Sequence, residues 1–176
     1  MAANAVTHCT ILPILELPDR RNLAVLRQTS VDVTDFNEEL RELVASMIEA
    51  MFAANGVGLA APQIGRNLNL FVMRTHAGIV NDTREVRVVV NPKTIVEAGE
   101  DAGTPDEKLE RCLSIPSILG RVTRFREIAC VYWDEDGLCY CDALEGMEAR
   151  IYQHERDHLL GKLFVDLADK FYRPNS

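Results

Sequence analysis

The sequence predicts an α+β fold, and three observations carry that prediction. An amphipathic helical pattern fills residues 35–54, β-branched runs bounded by turn formers fill the middle of the chain, and a second helical segment closes near Gly161. A helix early, strands in the middle and a helix late segregate the two kinds of element, as an α+β domain does. A single domain covering residues 1–176 is the simplest division of a 176-residue chain, which is long enough to bury a core without disulfides or a structural metal.

Taken in order, Ile11 to Leu17 is an apolar lead-in ended by Pro18-Asp19, and Arg20 to Val33 alternates loosely without a motif. The first clear helix follows. Asp35 with Glu38 three residues later reads as a capping pair. Phe36, Leu40, Leu43, Val44, Met47, Ile48, Met51 and Phe52 then recur at helical spacing. Asn55-Gly56 ends the run, because both residues tolerate the left-handed conformation at a helix C-terminus. The methionine and phenylalanine stripe reads as core packing. Leu68 to Arg74 and Val86 to Val90, with a continuation at Thr94 to Val96, are strand candidates. The acidic, glycine-containing segment between Glu97 and Glu110 reads as an exposed loop. Arg124 to Trp133 and Leu138 to Ala143 flank the hairpin turn Asp134-Glu135-Asp136-Gly137. The last helix is expected from about Leu144 to Leu160.

Composition narrows the function classes. Hydrophobic residues make up 47% and charged residues 26%, the proportions of a globular protein. A formal charge of -8 argues against a general nucleic-acid or anionic-membrane surface. No apolar run approaches the roughly 20 residues of a membrane helix. The N-terminus shows neither a secretion signal nor an arginine-rich transit pattern, so cytoplasm is the expected location. The five cysteines are scattered without zinc-ribbon spacing and are expected to be mostly free thiols. Cys9, Cys130, Cys139 and Cys141 read as small buried hydrophobes.

The chemistry centres on Gln153-His154-Glu155-Arg156-Asp157-His158. Residues i and i+4 share a helix face, so both imidazoles can reach one metal ion while Glu155 stands beside the first as a proton carrier. Two histidines are one ligand short of a catalytic tetrahedral site. The third must come from elsewhere, as a thiolate or a carboxylate. His8 and His76 lie outside every motif and are not expected to be ligands. The dense glycines and alanines of Gly56-Val57-Gly58-Leu59-Ala60-Ala61-Pro62-Gln63 let another chain approach closely. The spacing is not that of a dinucleotide turn, and no lysine is present to hold a phosphate. Gln63 stands out, because a primary amide can donate to a carbonyl oxygen.

Gly-Val-Gly-Leu-Ala-Ala-Pro-Gln, Glu-Arg-Cys-Leu-Ser and Gln-His-Glu-Arg-Asp-His-Leu, in that order, resemble the three motifs of the peptide deformylases, and the likeness runs from about Ile11 to Leu167. The resemblance implies mixed or antiparallel strands packed around the helix that carries the histidines. It assigns Cys112 as the third metal ligand beside His154 and His158, with Fe²⁺ as the usual resting metal and Zn²⁺ or Ni²⁺ able to replace it. The implied reaction removes the formyl group from N-formylmethionyl peptides of newly made proteins, a part of N-terminal methionine processing. Water whose pKa the metal lowers attacks the formyl carbon. The Gln63 amide and the Leu113 backbone N–H face the developing oxyanion, and Glu155 moves the proton to the leaving amine. The peptide is expected to lie extended beside Gly56-Val57-Gly58 as an added strand. Its methionine is expected to enter a pocket of Val57, Met147, the Arg150 stem, Ile151 and the His154 ring. Formylated nascent chains, with the ribosome near, are the implied partners; no direct nucleic-acid contact and no membrane are expected.

Glu110 and Arg124 are expected to form an ion pair holding the second motif to the next strand, and Asp157 to point away from the histidine face. Two features depart from the family. Arg111 stands where a glycine is usual, and either strains the loop or projects its charge over the groove. Leu119 stands near a position where many members carry an arginine. A same-scaffold hydrolase of another formyl or acyl amide and a non-catalytic metal-binding module are the competing readings; an intact Glu155 and Gln63 speak against the second.

Overall fold

The computed structural model describes residues 11–75, 86–97 and 106–173. His8, Cys9 and His76 fall outside them, as does the middle of the acidic segment, 98–105. The elements are α1 (Arg20–Leu26), α2 (Glu38–Ala53), β1 (Gly58–Ala60), β2 (Leu70–Arg74), β3 (Val86–Glu97), β4 (Asp106–Cys112), β5 (Ile115–Arg124), β6 (Glu127–Trp133), β7 (Cys139–Glu145), α3 (Gly146–Leu159) and β8 (Lys170–Tyr172). Short 3₁₀ turns cover Ala61–Ile64 and Phe164–Asp166.

Two antiparallel sheets form, a five-stranded one in the order β1-β2-β3-β6-β7 and a three-stranded one in the order β4-β5-β8. Strand alternation splits the five-stranded sheet between two cores. Leu70 and Val72 of β2 with Val88 and Val90 of β3 face α2, meeting Leu40, Val44, Met47 and Met51. Phe71, Met73 and Val89 face the other way, against Ala149, Ile151, Tyr152 and Leu159 of α3. β2 is therefore buried on both faces and reads as an unbroken apolar run. The three-stranded sheet closes a third core with Leu26, Val122, Leu163 and Phe164. α3 thus lies between the two sheets, the arrangement the family resemblance implies.

Both long helices stop the same way. Asn55 is left-handed at φ 53, the Asn55 N–H donates to Phe52 O at 3.0 Å, and the Gly56 N–H donates to Met51 O at 2.8 Å. Gly161 is left-handed at φ 68, its N–H donates to His158 O at 3.1 Å, and the Lys162 N–H donates to Asp157 O at 2.9 Å. These paired bonds satisfy carbonyls that a helix end otherwise leaves open. A side chain at Gly161 would also put a Cβ 2.4 Å from the Arg27 carbonyl oxygen.

Several expectations need correction. The cap of α2 is Asn37, whose side-chain oxygen accepts from the Leu40 N–H at 3.0 Å; Asp35 lies outside the helix. The stretch without a motif holds α1, capped by Asp19. The acidic segment is not loop as far as Glu110, because β4 begins at Asp106. Arg124 ends β5, a strand that Pro116 and Gly120 hide in the sequence, and does not open β6. Cys139 and Cys141 are exposed on the edge strand β7, not buried, whereas Cys130 is buried.

Candidate metal centre and peptide cleft

α3 carries an apolar side toward the large sheet and a polar side toward the small one. On that polar side His154 and His158 stack one turn apart, ring centroids 5.2 Å from each other. β4 alternates, so Glu110 and Cys112 turn inward to meet them while Leu109 and Arg111 turn out. Cys112 Sγ lies 3.3 Å from His158 Nε2. One donor atom from each of Cys112, His154 and His158 falls within 4.8 Å of the others, and all three residues are buried. A thiolate with two imidazoles is a donor set for zinc or ferrous iron.

Their electrostatics suit a cation. Burial opposes a Cys112 thiolate, but the His158 charge and the His154 hydrogen bond outweigh it and bring the thiol down to about 5. Burial likewise opposes charge on His154, yet hydrogen bonds to Cys112 and Glu110 raise it well above the usual imidazole range. The folded site thus gathers a thiolate and shared protons that a divalent ion displaces on binding.

Glu110 orients this group. It accepts from Arg124 Nε at 2.9 Å and Nη2 at 3.0 Å, from Arg150 Nη1 at 2.7 Å, and pairs with His154 Nδ1 at 2.8 Å. A carboxylate partner fixes the proton on Nδ1 and leaves Nε2 as the donor atom for a metal. Burial pushes the Glu110 carboxyl up, but His154 and Arg124 outweigh it and hold it at about 2. Arg124 reaches on to Asp157 at 2.5 Å. The expected Glu110–Arg124 pair is present, then, within a larger network. Asp157 braces Arg124 and so joins that network.

Glu155 has the opposite environment. Its Oε2 is buried and has no hydrogen-bond partner among the described residues. Desolvation raises its carboxyl to about 7 against the pull of His154 and His158. A carboxyl poised there can exchange a proton at neutral pH. Gly58 makes room for it: a Cβ at Gly58 would stand 2.3 Å from Glu155 Oε1.

Gln63 is fixed by the donors around it. Its Oε1 accepts from the Ala60 N–H at 2.9 Å, which turns Nε2 toward Cys112 Sγ at 3.6 Å and Ser114 Oγ at 3.2 Å. A backbone N–H can only donate, so the amide orientation follows. Leu113 stands on the turn between β4 and β5, its side chain near Gly56.

A cavity of about 610 Å³ opens over these groups, between the segment 56–58 and the segment 109–113. That is the size of a small-ligand site. Val57 and Met147, 43% and 45% exposed, form its rim, and Ile151 and His154 lie deep. All the expected pocket residues line it. Arg150 lines it as well, and its buried guanidinium is held by Glu110 and the Val122 carbonyl. Ile14 and Glu16 of the lining were not foreseen, nor was Ser114, which lies buried against Gln63; only Ser114, inside the second motif, offered a signal.

Comparison with known proteins agrees with this geometry. The family model described as polypeptide deformylase matches residues 11–173. A peptide deformylase of Desulfotalea psychrophila is 43% identical over 156 residues, covering 89% of this chain and 86% of its own length. One from Treponema pallidum is 41% identical over 152 residues, covering 86% of each chain. The crystal structure of peptide deformylase from Thermotoga maritima superposes with a TM-score of 0.79 at 34% identity, over 92% of this chain and 99% of that one.

Proposed function

Since this chain belongs to the polypeptide deformylase family, and is by that membership a metal-dependent hydrolase that removes the N-formyl group of nascent peptides, we propose that Cys112, His154 and His158 hold the metal and that Glu155, Gln63 and Leu113 carry the reaction. The observation that supports this most is the convergence of one sulfur and two imidazoles beside the buried Glu155, whose Oε2 has no hydrogen-bond partner among the described residues. The donor set fits Fe²⁺ and Zn²⁺; with the family resemblance we assign Fe²⁺ in the cell, with Zn²⁺ or Ni²⁺ as substitutes. When bound, the ion supplies Lewis acidity, making water a nucleophile near neutral pH and polarising the formyl carbonyl.

The protein side of the reaction follows from position. The formylmethionyl chain lies extended between β1 and β4, each an edge of its sheet, where main-chain hydrogen bonds can add it as a strand. Its methionine enters between Val57, Met147, Arg150, Ile151 and His154, with Gly58 leaving the floor open. The Gln63 amide nitrogen, held in place by the Ala60 N–H, donates to the formyl oxygen together with the Leu113 N–H. Such pre-aimed donors lower the barrier by a few kcal/mol each. Glu155 accepts a proton from the attacking water and returns it to the amine nitrogen as the C–N bond breaks. Formate and a free N-terminus leave. We place this work in the cytoplasm, on chains still near the ribosome, by one domain made of the whole chain.

The test is formate release from formyl-Met-Ala-Ser by anaerobically prepared, Fe²⁺-loaded protein. Glu155→Gln should lower kcat about 10²- to 10⁴-fold while one metal ion per chain is retained. A wild-type protein that releases no formate would end this reading.

A further inference from the structure

Arg111 has no part in the chemistry above. It lies where the β4–β5 register shifts: Glu110 pairs with Gly120 and Cys112 with Ile115, so the extra residues fall on β5 and Arg111 keeps its place in the alternation of β4. Its φ is not in the left-handed region, so an arginine fits this backbone without strain. Strand alternation that buries Glu110 and Cys112 turns Leu109 and Arg111 outward, and both line the cavity. The other acidic and basic groups of the lining are Glu16, Glu110, Arg150 and Glu155, with Cys112 and His154 of the metal centre, both buried. Glu110, Arg150 and Glu155 are buried, and Glu110 and Arg150 are bonded to each other at 2.7 Å. Arg111 is therefore the exposed cation of the cleft. Among the described residues its side chain has no ion pair and no hydrogen bond. Glu16, the exposed anion, sits on a different segment, tied through Leu15 and Leu17 to Gln63 and Ser114.

We propose that Arg111 reads the residue that follows formylmethionine and favours an acidic side chain there. This rests on the formylpeptide reading of the cleft. In an extended chain successive side chains point to opposite faces. With the methionine turned in toward Ile151 and His154, the next side chain turns out, to the face where Leu109 and Arg111 stand. A carboxylate at that position meets an unpaired guanidinium, and an ammonium meets like charge.

The experiment compares kcat/KM for formate release by the Fe²⁺-loaded enzyme on three C-terminally amidated peptides, formyl-Met-Ala-Ser, formyl-Met-Glu-Ser and formyl-Met-Lys-Ser. Amidation removes a carboxylate that would compete for the same cation. At low salt the glutamate peptide should exceed the lysine peptide by about two- to five-fold, the range of an exposed ion pair, and the gap should shrink at high salt. Arg111→Glu should reverse the order. Arg111→Ala, which keeps the fold if charge reversal does not, should erase it. Equal rates on all three peptides, a lysine preference set by Glu16, or a glutamate preference that survives in Arg111→Ala would overturn the role of Arg111 and leave the deformylase reading intact. No formate from any peptide would remove both.

Discussion

α2 and α3 are both deeply buried helices, yet they are buried by different means. α2 sinks Leu40, Val44, Met47, Ala50 and Met51 into hydrocarbon. α3 buries Arg150, His154, Glu155 and His158 alongside its apolar residues. Taking an ion out of water costs several kcal/mol, recovered only through good partners. α3 has them on one side, where Glu110 binds Arg124, Arg150 and His154. It lacks them at Glu155. The difference separates two jobs: α2 buries hydrocarbon that stabilises the fold, while α3 spends stability to hold charges where a reaction needs them.

The sharpest way to break that comparison is Glu110→Gln. The substitution keeps the shape but leaves Arg124 and Arg150 buried without their shared carboxylate. We expect a loss of about 3–5 kcal/mol in denaturant unfolding. His154 also loses the partner that orients it, so metal affinity should fall about 10- to 100-fold in a chelator competition. Unchanged stability would mean that the network is ornamental and that α3 is held by its apolar side alone.

Met47→Ala asks the same question of α2. Met47 is fully buried against the large sheet, and its truncation should cost about 2–5 kcal/mol. Below the melting transition, kcat and metal content should stay at wild-type values. A fall in kcat would show that α2 reaches the chemistry, and the division of labour would fail.

The same contrast explains what could be read before folding. α2 was plain because its burial is hydrocarbon at helical spacing. α3 was plain for another reason, its paired histidines, since Arg150, His154 and Glu155 look like a solvated face until their partners are known. Those partners lie far along the chain. Glu110 is 44 residues from His154, so spacing alone could not join them, and Cys112 was reached through family resemblance. Elements that break the periodic rules were missed. α1 is short, with Leu26 its one buried residue. β5 carries Pro116 and Gly120, which argue against a strand, although Gly120 is needed because a Cβ there would lie 2.7 Å from Phe164. Gly58 looked like a point of close approach for another chain, and its clearance turns out also to serve Glu155 from within.

The smallest effect tests the start of α2, where two polar residues compete for one role. Sequence spacing favours Asp35, since Glu38 follows it by three. The structure gives the bond to Asn37, and Asp35 instead accepts from the Thr34 hydroxyl at 3.1 Å. Asn37→Ala should therefore cost about 1 kcal/mol, the usual loss when a capping side chain goes. Asp35→Ala, an exposed change away from any cap, should stay within about 0.5 kcal/mol of zero. Thermal melts of the two variants decide between them, and formate release should be the same in both. Equal losses would mean that the first turn draws on either side chain, and that helix α2 begins less sharply than the Asn37 bond indicates.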